Sequence, residues 1–105
     1  MINGRKVIMI IGSTRFIDDM RKKAWELTRR GNIVLLPEER PKDAKDIDIN
    51  LLESIGLDKI DFADEVLLFN KNGYIGESTS KEIVHILSTN KKMIVLEKEK
   101  FYENN

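Results

Sequence analysis

The 105-residue sequence predicts a single α/β domain with a parallel sheet at its centre. Four short apolar runs have the composition of strands, and three segments with helical spacing of apolar residues separate them. Strands that alternate with helices in this way form βαβ units, which join parallel strands through right-handed crossovers. The length allows one compact domain and is too short for two.

The first strand and the first helix have clear signals. Residues 6–11 read KVIMII, a continuous apolar and β-branched run that is typical of a strand buried on both faces. Apolar residues then recur at helical spacing through FIDDMRKKAWELTRRG, and the helix is expected to end before Gly31, which follows two arginines. Residues 32–37, NIVLLP, are the second predicted buried strand.

The rest of the chain repeats this pattern after a charged loop. Residues 38–48 carry eight charged residues without apolar periodicity, so we expect a loop there. A second helix follows, which we expect to be bent or interrupted near Gly56. The remaining predicted elements are a strand at residues 65–69, a helix with a buried stripe at Ile83, Ile86 and Leu87, a strand at residues 93–97 and a polar tail from about residue 98.

We expect the four strands in the order 2-1-3-4, the doubly wound arrangement of flavodoxin-like (Rossmann-like) sheets. In this order the first and third strands are neighbours, and the helices that follow them leave on opposite faces. Ligands of such sheets bind in the crevice at the carboxyl ends of these strands. The prediction therefore brings two loops together: GSTRF at residues 12–16 and NGYIGEST at residues 72–79.

The loop GSTRF offers groups that suit an anion. Gly12 allows close backbone approach, Ser13 and Thr14 carry hydroxyl groups, and backbone N–H groups before a helix can face a phosphate. The guanidinium of Arg15 could bind that phosphate through two hydrogen bonds. The alternative is purely structural: Ser13 or Thr14 caps the helix and Arg15 is solvated. Taken alone, the loop slightly favours this alternative.

The segment after the third strand also has two interpretations. TSKE at residues 79–82 fits a capping box, in which Glu82 reaches back to the N–H of Thr79, and such a cap stabilises a helix by about 1 kcal/mol without any further function. The spacing alone favours this cap. The segment also lies at the expected crevice, where a glutamate in the first helical turn is favoured in its ionised form by the helix dipole. An ionised carboxylate in a crevice is a candidate nucleophile.

Composition narrows the function classes. The chain has no cysteine and one histidine, His85, so we expect neither a metal centre nor a cofactor. Lysine plus arginine equals aspartate plus glutamate at 18 each, which argues against binding to nucleic acid or to an anionic membrane. The apolar runs are too short for a membrane span or a signal sequence, so we expect a cytoplasmic protein. The fingerprints GxGxxG and GxxxxGK[ST] do not occur.

Three motifs together resemble a known family. IIGSTRF after the first strand, KIDFADEVLLFN into the third strand and GYIGESTSKEIVHI at the next helix are similar to the nucleoside 2-deoxyribosyltransferase superfamily, which includes the deoxynucleoside monophosphate N-glycosidases. The resemblance extends over residues 6–96. It implies an enzyme that cleaves the N-glycosidic bond of a small-molecule nucleoside or its 5′-monophosphate, and that forms a homodimer or a larger homo-oligomer.

The resemblance also implies roles for individual residues. The nucleophilic glutamate of the family, in a G-[ST]-x-x-E helix start, matches Glu82, which would attack the anomeric carbon before the glycosyl group passes to another base or to water. Glu77 matches an acidic residue near the sugar. The other expected substrate contacts lie in the two loops, at Gly12, Ser13, Thr14, Arg15, Gly76, Ser78, Thr79 and Ser80.

One position departs from the family pattern. The transferases carry an aspartate on the helix before the third strand, where it assists the base, and this register falls on Gly56 here. Asp58 and Asp61 are the candidate supporting acids, and Glu53 lies nearby.

Two other functions stay open. A non-catalytic nucleotide-binding or sensing module is consistent with Gly56 at the expected aspartate position and with the small size of the chain. A phosphoribohydrolase that releases bases from ribonucleotides would also use a G-T-x-x-E helix start, although the Pro-Gly-Gly segment that precedes it in those enzymes does not occur here.

Overall fold

A computed structural model describes residues 1–103 of the chain. Its strands and α-helices are β1 (Val7–Ile11), α1 (Ile17–Arg29), β2 (Ile33–Leu35), α2 (Ile49–Phe62), β3 (Glu65–Leu68), α3 (Glu77–Ser88), β4 (Lys92–Val95) and α4 (Lys98–Glu103). A 3₁₀ turn at Thr14–Phe16 leads into α1, and another at Lys71–Gly73 follows β3. Within the described residues, every helix is too short or too polar to cross a lipid bilayer.

The strands form a parallel sheet in the order β2-β1-β3-β4, which confirms the predicted topology. Met9 of β1 lies beside Leu35 of β2 on one side and beside Val66 of β3 on the other. β4 pairs with the far side of β3. β1 and β3 are therefore neighbours, and the loops that follow them leave the sheet at the same edge.

Two apolar layers cover the two faces of the sheet. Met9 belongs to the layer that includes Ile60 of α2 and Ile86 of α3. The next residue, Ile10, belongs to the layer that includes Met20 of α1. All five side chains are fully buried. β1 is thus buried on both faces, as its continuous apolar sequence predicts, because successive side chains of a strand point to opposite faces.

Residues 38–48 form neither helix nor strand, as expected. Two other elements differ from the sequence-based expectation. The prediction of a bend near Gly56 is wrong, since α2 runs without interruption from Ile49 to Phe62. Asp48 caps this helix by accepting a hydrogen bond from the N–H of Leu51 at 3.0 Å, and one internal glycine costs a helix only about 1 kcal/mol. The expected polar tail begins with α4, and Phe101 of this helix packs against the layer of α2 and α3. Residues 104–105 of that tail lie outside the described residues.

Asn70 joins the carboxyl ends of β3 and β4. Its side chain is fully buried, its Nδ2 donates to the carbonyl oxygen of Glu97 at 3.0 Å, and its Oδ1 accepts a hydrogen bond from the N–H of Glu97 at 2.8 Å. These two bonds continue the pairing of the strands beyond Leu68 and Val95. They also fix the start of the segment that leads from β3 to α3.

Replacement of Asn70 should therefore destabilise the fold measurably. We expect Asn70→Ala to lower the free energy of unfolding by about 2 kcal/mol. The N–H of Glu97 loses its partner, and the carbonyl oxygen of Glu97 keeps only the hydrogen bond from the N–H of Phe101 at 3.2 Å. Urea unfolding followed by circular dichroism measures this change. The matched control is Asn50→Ala on the exposed surface of α2, which should stay within about 0.5 kcal/mol of the wild type. Equal stability of the two variants would contradict the role of Asn70.

Candidate active site

A cleft of about 540 Å³ opens at the carboxyl edge of the sheet. The loop after β1 and the start of α3 line it on two sides, and α2 from Ile49 to Lys59 with the loop after β2 completes it. Eight of the residues predicted from sequence meet in its lining: Gly12, Ser13, Thr14, Gly76, Glu77, Ser78, Thr79 and Glu82. The order of the strands is what brings them together, because it places the loops after β1 and β3 side by side.

Gly12 lies directly against the end of β3. A Cβ atom at this position would lie 2.7 Å from the carbonyl oxygen of Phe69, and φ of Gly12 is +155°. A side chain cannot fit there without moving backbone, so glycine lets the end of β1 pass directly against the end of β3. The next residue, Ser13, accepts a hydrogen bond from the N–H of Arg15 at 3.3 Å. Ser13 therefore caps the 3₁₀ turn that precedes α1, whereas the N-cap of α1 itself is Phe16, which makes no side-chain capping bond.

The structure does not bring Arg15 into the cleft. Its guanidinium carbon lies 3.7 Å from the centroid of the Tyr74 ring, a cation–π contact. Phe16 meets the same ring edge-on, with the ring centroids 6.1 Å apart. Since Tyr74 lines the cleft, Arg15 supports a wall of the cleft. The contact of Arg15 with a ligand stays a prediction, since the structure shows only that the guanidinium packs on the aromatic ring.

The start of α3 differs from the capping-box prediction. Gly76 is the N-cap and Glu77 is the first helical residue, so Thr79 lies inside the helix, where it is buried. Glu82 consequently falls in the second turn and cannot reach back to the N-cap, and the prediction of a capping box is wrong. Ser80 donates its hydroxyl hydrogen to the carbonyl oxygen of Gly76 at 3.0 Å and does not line the cleft.

Glu82 presents a half-buried carboxyl group to the cleft from α3. A Cβ atom at Gly56 of α2 would lie 3.5 Å from its Oε2, so the missing side chain at Gly56 leaves space beside this carboxyl group. Burial raises the pKa of Glu82 to about 7, and the negative charge of Glu53 adds to the shift. The expectation that the helix dipole keeps Glu82 ionised is wrong, because desolvation outweighs it. The neutral form of Glu82 is therefore favoured over a wider pH range than in an exposed glutamate.

Four other charged side chains of the cleft form two ion pairs. The Nζ atom of Lys81 lies 3.8 Å from the carboxylate of Glu53. On the opposite side of α2, Lys59 donates to Glu38 at 2.7 Å and to the carbonyl oxygen of Leu36 at 2.9 Å. This hydrogen bond and the charge of Lys59 lower the pKa of Glu38. Glu38 is therefore held as a carboxylate, whereas Glu82 is held closer to its neutral form.

The two candidate supporting acids lie outside the cleft lining. Asp58 is exposed, on a different face of α2 from Gly56. Asp61 lies about two helical turns beyond Glu53, and its Oδ1 is 2.8 Å from Nε2 of His85, a contact that joins α2 to α3. The α2 carboxylate that does line the cleft is Glu53. Among the described residues, no group of three or more histidine, aspartate or glutamate side chains could hold a metal ion.

Several cleft residues were not predicted from sequence. They are Tyr74, Lys81, Lys59, the residues Pro37, Glu38 and Arg40 after β2, and the apolar α2 residues Ile49, Leu52 and Leu57. The predicted strand order contains a signal for part of this set, because β2 ends at the same edge as β1 and β3. The orientation of Tyr74 has no such signal, since it depends on the contact with Arg15.

Comparison with known proteins supports the fold relation. No family model matches the sequence. No curated protein matches it either. Among solved structures, a 2-desoxiribosyltransferase from Leishmania mexicana is similar, with a TM-score of 0.59 and 16% sequence identity over 86% of this chain and 63% of that chain. The two proteins have a similar α/β fold, and this chain spans less than two thirds of the length of the transferase structure.

The raised pKa of Glu82 should appear in the pH dependence of stability. The folded protein binds this proton more tightly than the unfolded chain, so the contribution is fully present below about pH 4.5 and is lost as the pH rises through about 7. Relative to Glu82→Gln, the wild type should lose on the order of 3 kcal/mol of unfolding free energy between about pH 4.5 and about pH 8. Denaturant titrations of both proteins across this range measure the difference. Parallel pH profiles for the two proteins would contradict the buried, protonated state of Glu82.

Proposed function

We propose that the protein cleaves the N-glycosidic bond of a nucleoside or deoxynucleoside, or of its 5′-monophosphate, with Glu82 as the nucleophile. The main support is the position of Glu82: a half-buried carboxyl group faces a cleft at the carboxyl edge of the sheet, opposite a loop that carries hydroxyl groups. The fold relation to a 2-deoxyribosyltransferase is consistent with this chemistry. The glycosyl group is then transferred to another base or to water.

The size and lining of the cleft suit a nucleoside. A volume of about 540 Å³ lies in the range of small-molecule sites. Ile49, Leu52 and the Tyr74 ring provide apolar and aromatic surface for a base, and Ser13 and Ser78 provide hydroxyl groups for a sugar or a phosphate. This division of apolar and polar surface supports a ligand with one flat ring system and one polar end.

Gly56 supports the assignment of Glu82 as the attacking group. A nucleophile must approach the anomeric carbon to about 3 Å, and a side chain on the neighbouring helix would restrict that approach. Because Gly56 carries no side chain, the space next to Oε2 of Glu82 stays open to a sugar. In its ionised form the carboxylate would attack the anomeric carbon, while negative charge nearby stabilises the oxocarbenium-like transition state.

Base release measured by chromatography tests this proposal. We expect the wild type to release free base from at least one deoxynucleoside, ribonucleoside or corresponding 5′-monophosphate, and Glu82→Ala to lower the rate by at least about 1000-fold, because the attacking group is lost. Glu99→Gln, at an exposed position on α4, is the control and should keep full activity.

The results separate the two parts of the proposal. A wild type without base release from any of these substrates would contradict the activity. Unchanged release by Glu82→Ala would contradict only the role of Glu82.

A second candidate function is a non-catalytic nucleotide-binding module. It is favoured by the raised pKa of Glu82, since a protonated carboxyl group donates a hydrogen bond to a ligand more readily than it attacks carbon. Calorimetric binding of a nucleotide that is recovered intact would support this module over the enzyme.

A further inference from the structure

We propose that Gly56 makes room for a 2′-hydroxyl group, so that the substrates include ribonucleosides, or their 5′-monophosphates, as well as the 2′-deoxy compounds; this inference rests on the proposed function. The feature that supports it is the space beside Oε2 of Glu82, into which position 56 of α2 projects no side chain. The two classes of substrate differ by one oxygen atom at C2′. The location of this space relative to the reacting carbon decides whether that atom fits.

The space lies between Gly56 and the carboxyl group of Glu82, and both residues line the cleft. A Cβ atom at Gly56 would lie 3.5 Å from Oε2, which is an ordinary van der Waals distance. Among the described residues outside α2, no other atom comes within 4 Å of that Cβ position. Position 56 therefore opens directly onto the carboxyl group that is proposed to attack the sugar.

The stereochemistry of the proposed reaction brings a 2′-hydroxyl group to this same place. In a ribonucleoside the base and the 2′-hydroxyl group lie on opposite faces of the sugar ring. A carboxylate oxygen that bonds to the anomeric carbon, as the bond to the base breaks and its electron pair leaves with the base, approaches from the face opposite the base. Glu82 and the 2′-hydroxyl group would therefore share one face of the ring, at adjacent carbon atoms.

The carboxyl group of Glu82 has an oxygen atom for each of these carbon atoms. When one oxygen of the ionised group attacks the anomeric carbon, the other stays within reach of the substituent at C2′ and can accept a hydrogen bond from it. In retaining glycoside hydrolysis, hydrogen bonds to the 2-hydroxyl group strengthen in the transition state. A ribose thus requires space for one oxygen atom beside this carboxyl group, and Gly56 leaves such space. A 2′-deoxyribose does not use it.

The backbone of α2 does not require a glycine at position 56. The helix runs without interruption from Ile49 to Phe62. Alanine is a better helix former than glycine, so Gly56 lowers the stability of α2. A glycine that weakens its own helix and borders a reactive group is consistent with close approach of a ligand at this point.

The test compares a ribonucleoside with the 2′-deoxynucleoside of the same base, in the wild type and in Gly56→Ala. The base is the one that the wild type releases most rapidly, and 5′-monophosphates replace the nucleosides if they react faster. We expect the wild type to release base from both substrates. The added methyl group occupies the space beside Oε2, so Gly56→Ala should lower kcat/KM for the ribose substrate by at least about 10-fold and for the deoxyribose substrate by less than about 3-fold.

Three controls accompany this comparison. Ser54→Ala, at an exposed position of the same helix, should change neither rate. The arabinonucleoside of the same base carries its 2′-hydroxyl group on the face of the base, so its rate should fall in Gly56→Ala no more than that of the deoxynucleoside. Circular dichroism should show that Gly56→Ala keeps the helix content of the wild type, because alanine favours a helix.

The outcomes separate this inference from the proposed function. A wild type that releases base from the deoxynucleoside and not from the ribonucleoside would overturn the role of Gly56 and leave the proposed function intact. Equal losses on both substrates in Gly56→Ala, or no loss on either, would do the same. A wild type that is inactive on every substrate contradicts the proposed function and the inference together. A loss confined to the ribose substrate supports the inference, since a general defect of the site would lower both rates.

Discussion

The parallel pairing of β1 with β3 is the contact on which the site depends. The N–H of Phe69 donates to the carbonyl oxygen of Ile11 at 2.8 Å, and Gly12 follows without a side chain that would push the two strand ends apart. Side chains of both strands belong to the apolar layers on the two faces of the sheet. Apolar packing on both faces therefore fixes the register of this pairing. The loop of hydroxyl groups and the helix that carries Glu82 meet only because these two strands are neighbours.

The carboxyl group of Glu82 has a cost in stability, and the proposed function gives it a chemical role. Burial of its carboxyl group favours the neutral form, so the folded protein loses stability when the group ionises. A carboxyl group with a pKa near neutral can both hold a proton and release it during a reaction, which fits a nucleophile that must be freed when substrate binds. Gly56 likewise lowers the stability of α2 slightly, because glycine is a poor helix former. It also leaves space open beside Oε2 of Glu82.

Much of the fold could be predicted from the sequence, and the predicted fold in turn placed part of the site. Continuous apolar runs such as that of β1 identify buried parallel strands, and their alternation with helices determines the order of the sheet. The start of α3 could not be placed correctly, because Gly76 caps it without a side-chain signature while TSKE imitates a capping box. The place of Arg15 on the ring of Tyr74 could not be predicted either, since distant parts of the chain bring these two side chains together.

The central claim is that Glu82 forms a covalent bond to the sugar, and mass spectrometry of the acid-quenched protein tests it most directly. The protein is mixed with a cleavable nucleoside or nucleotide, stopped within one turnover and digested. The account predicts one added glycosyl group, located on the peptide that contains Glu82 and missing from Glu82→Gln. Base release by a protein that never carries this added mass, or a glycosyl group located on another residue, would contradict the account.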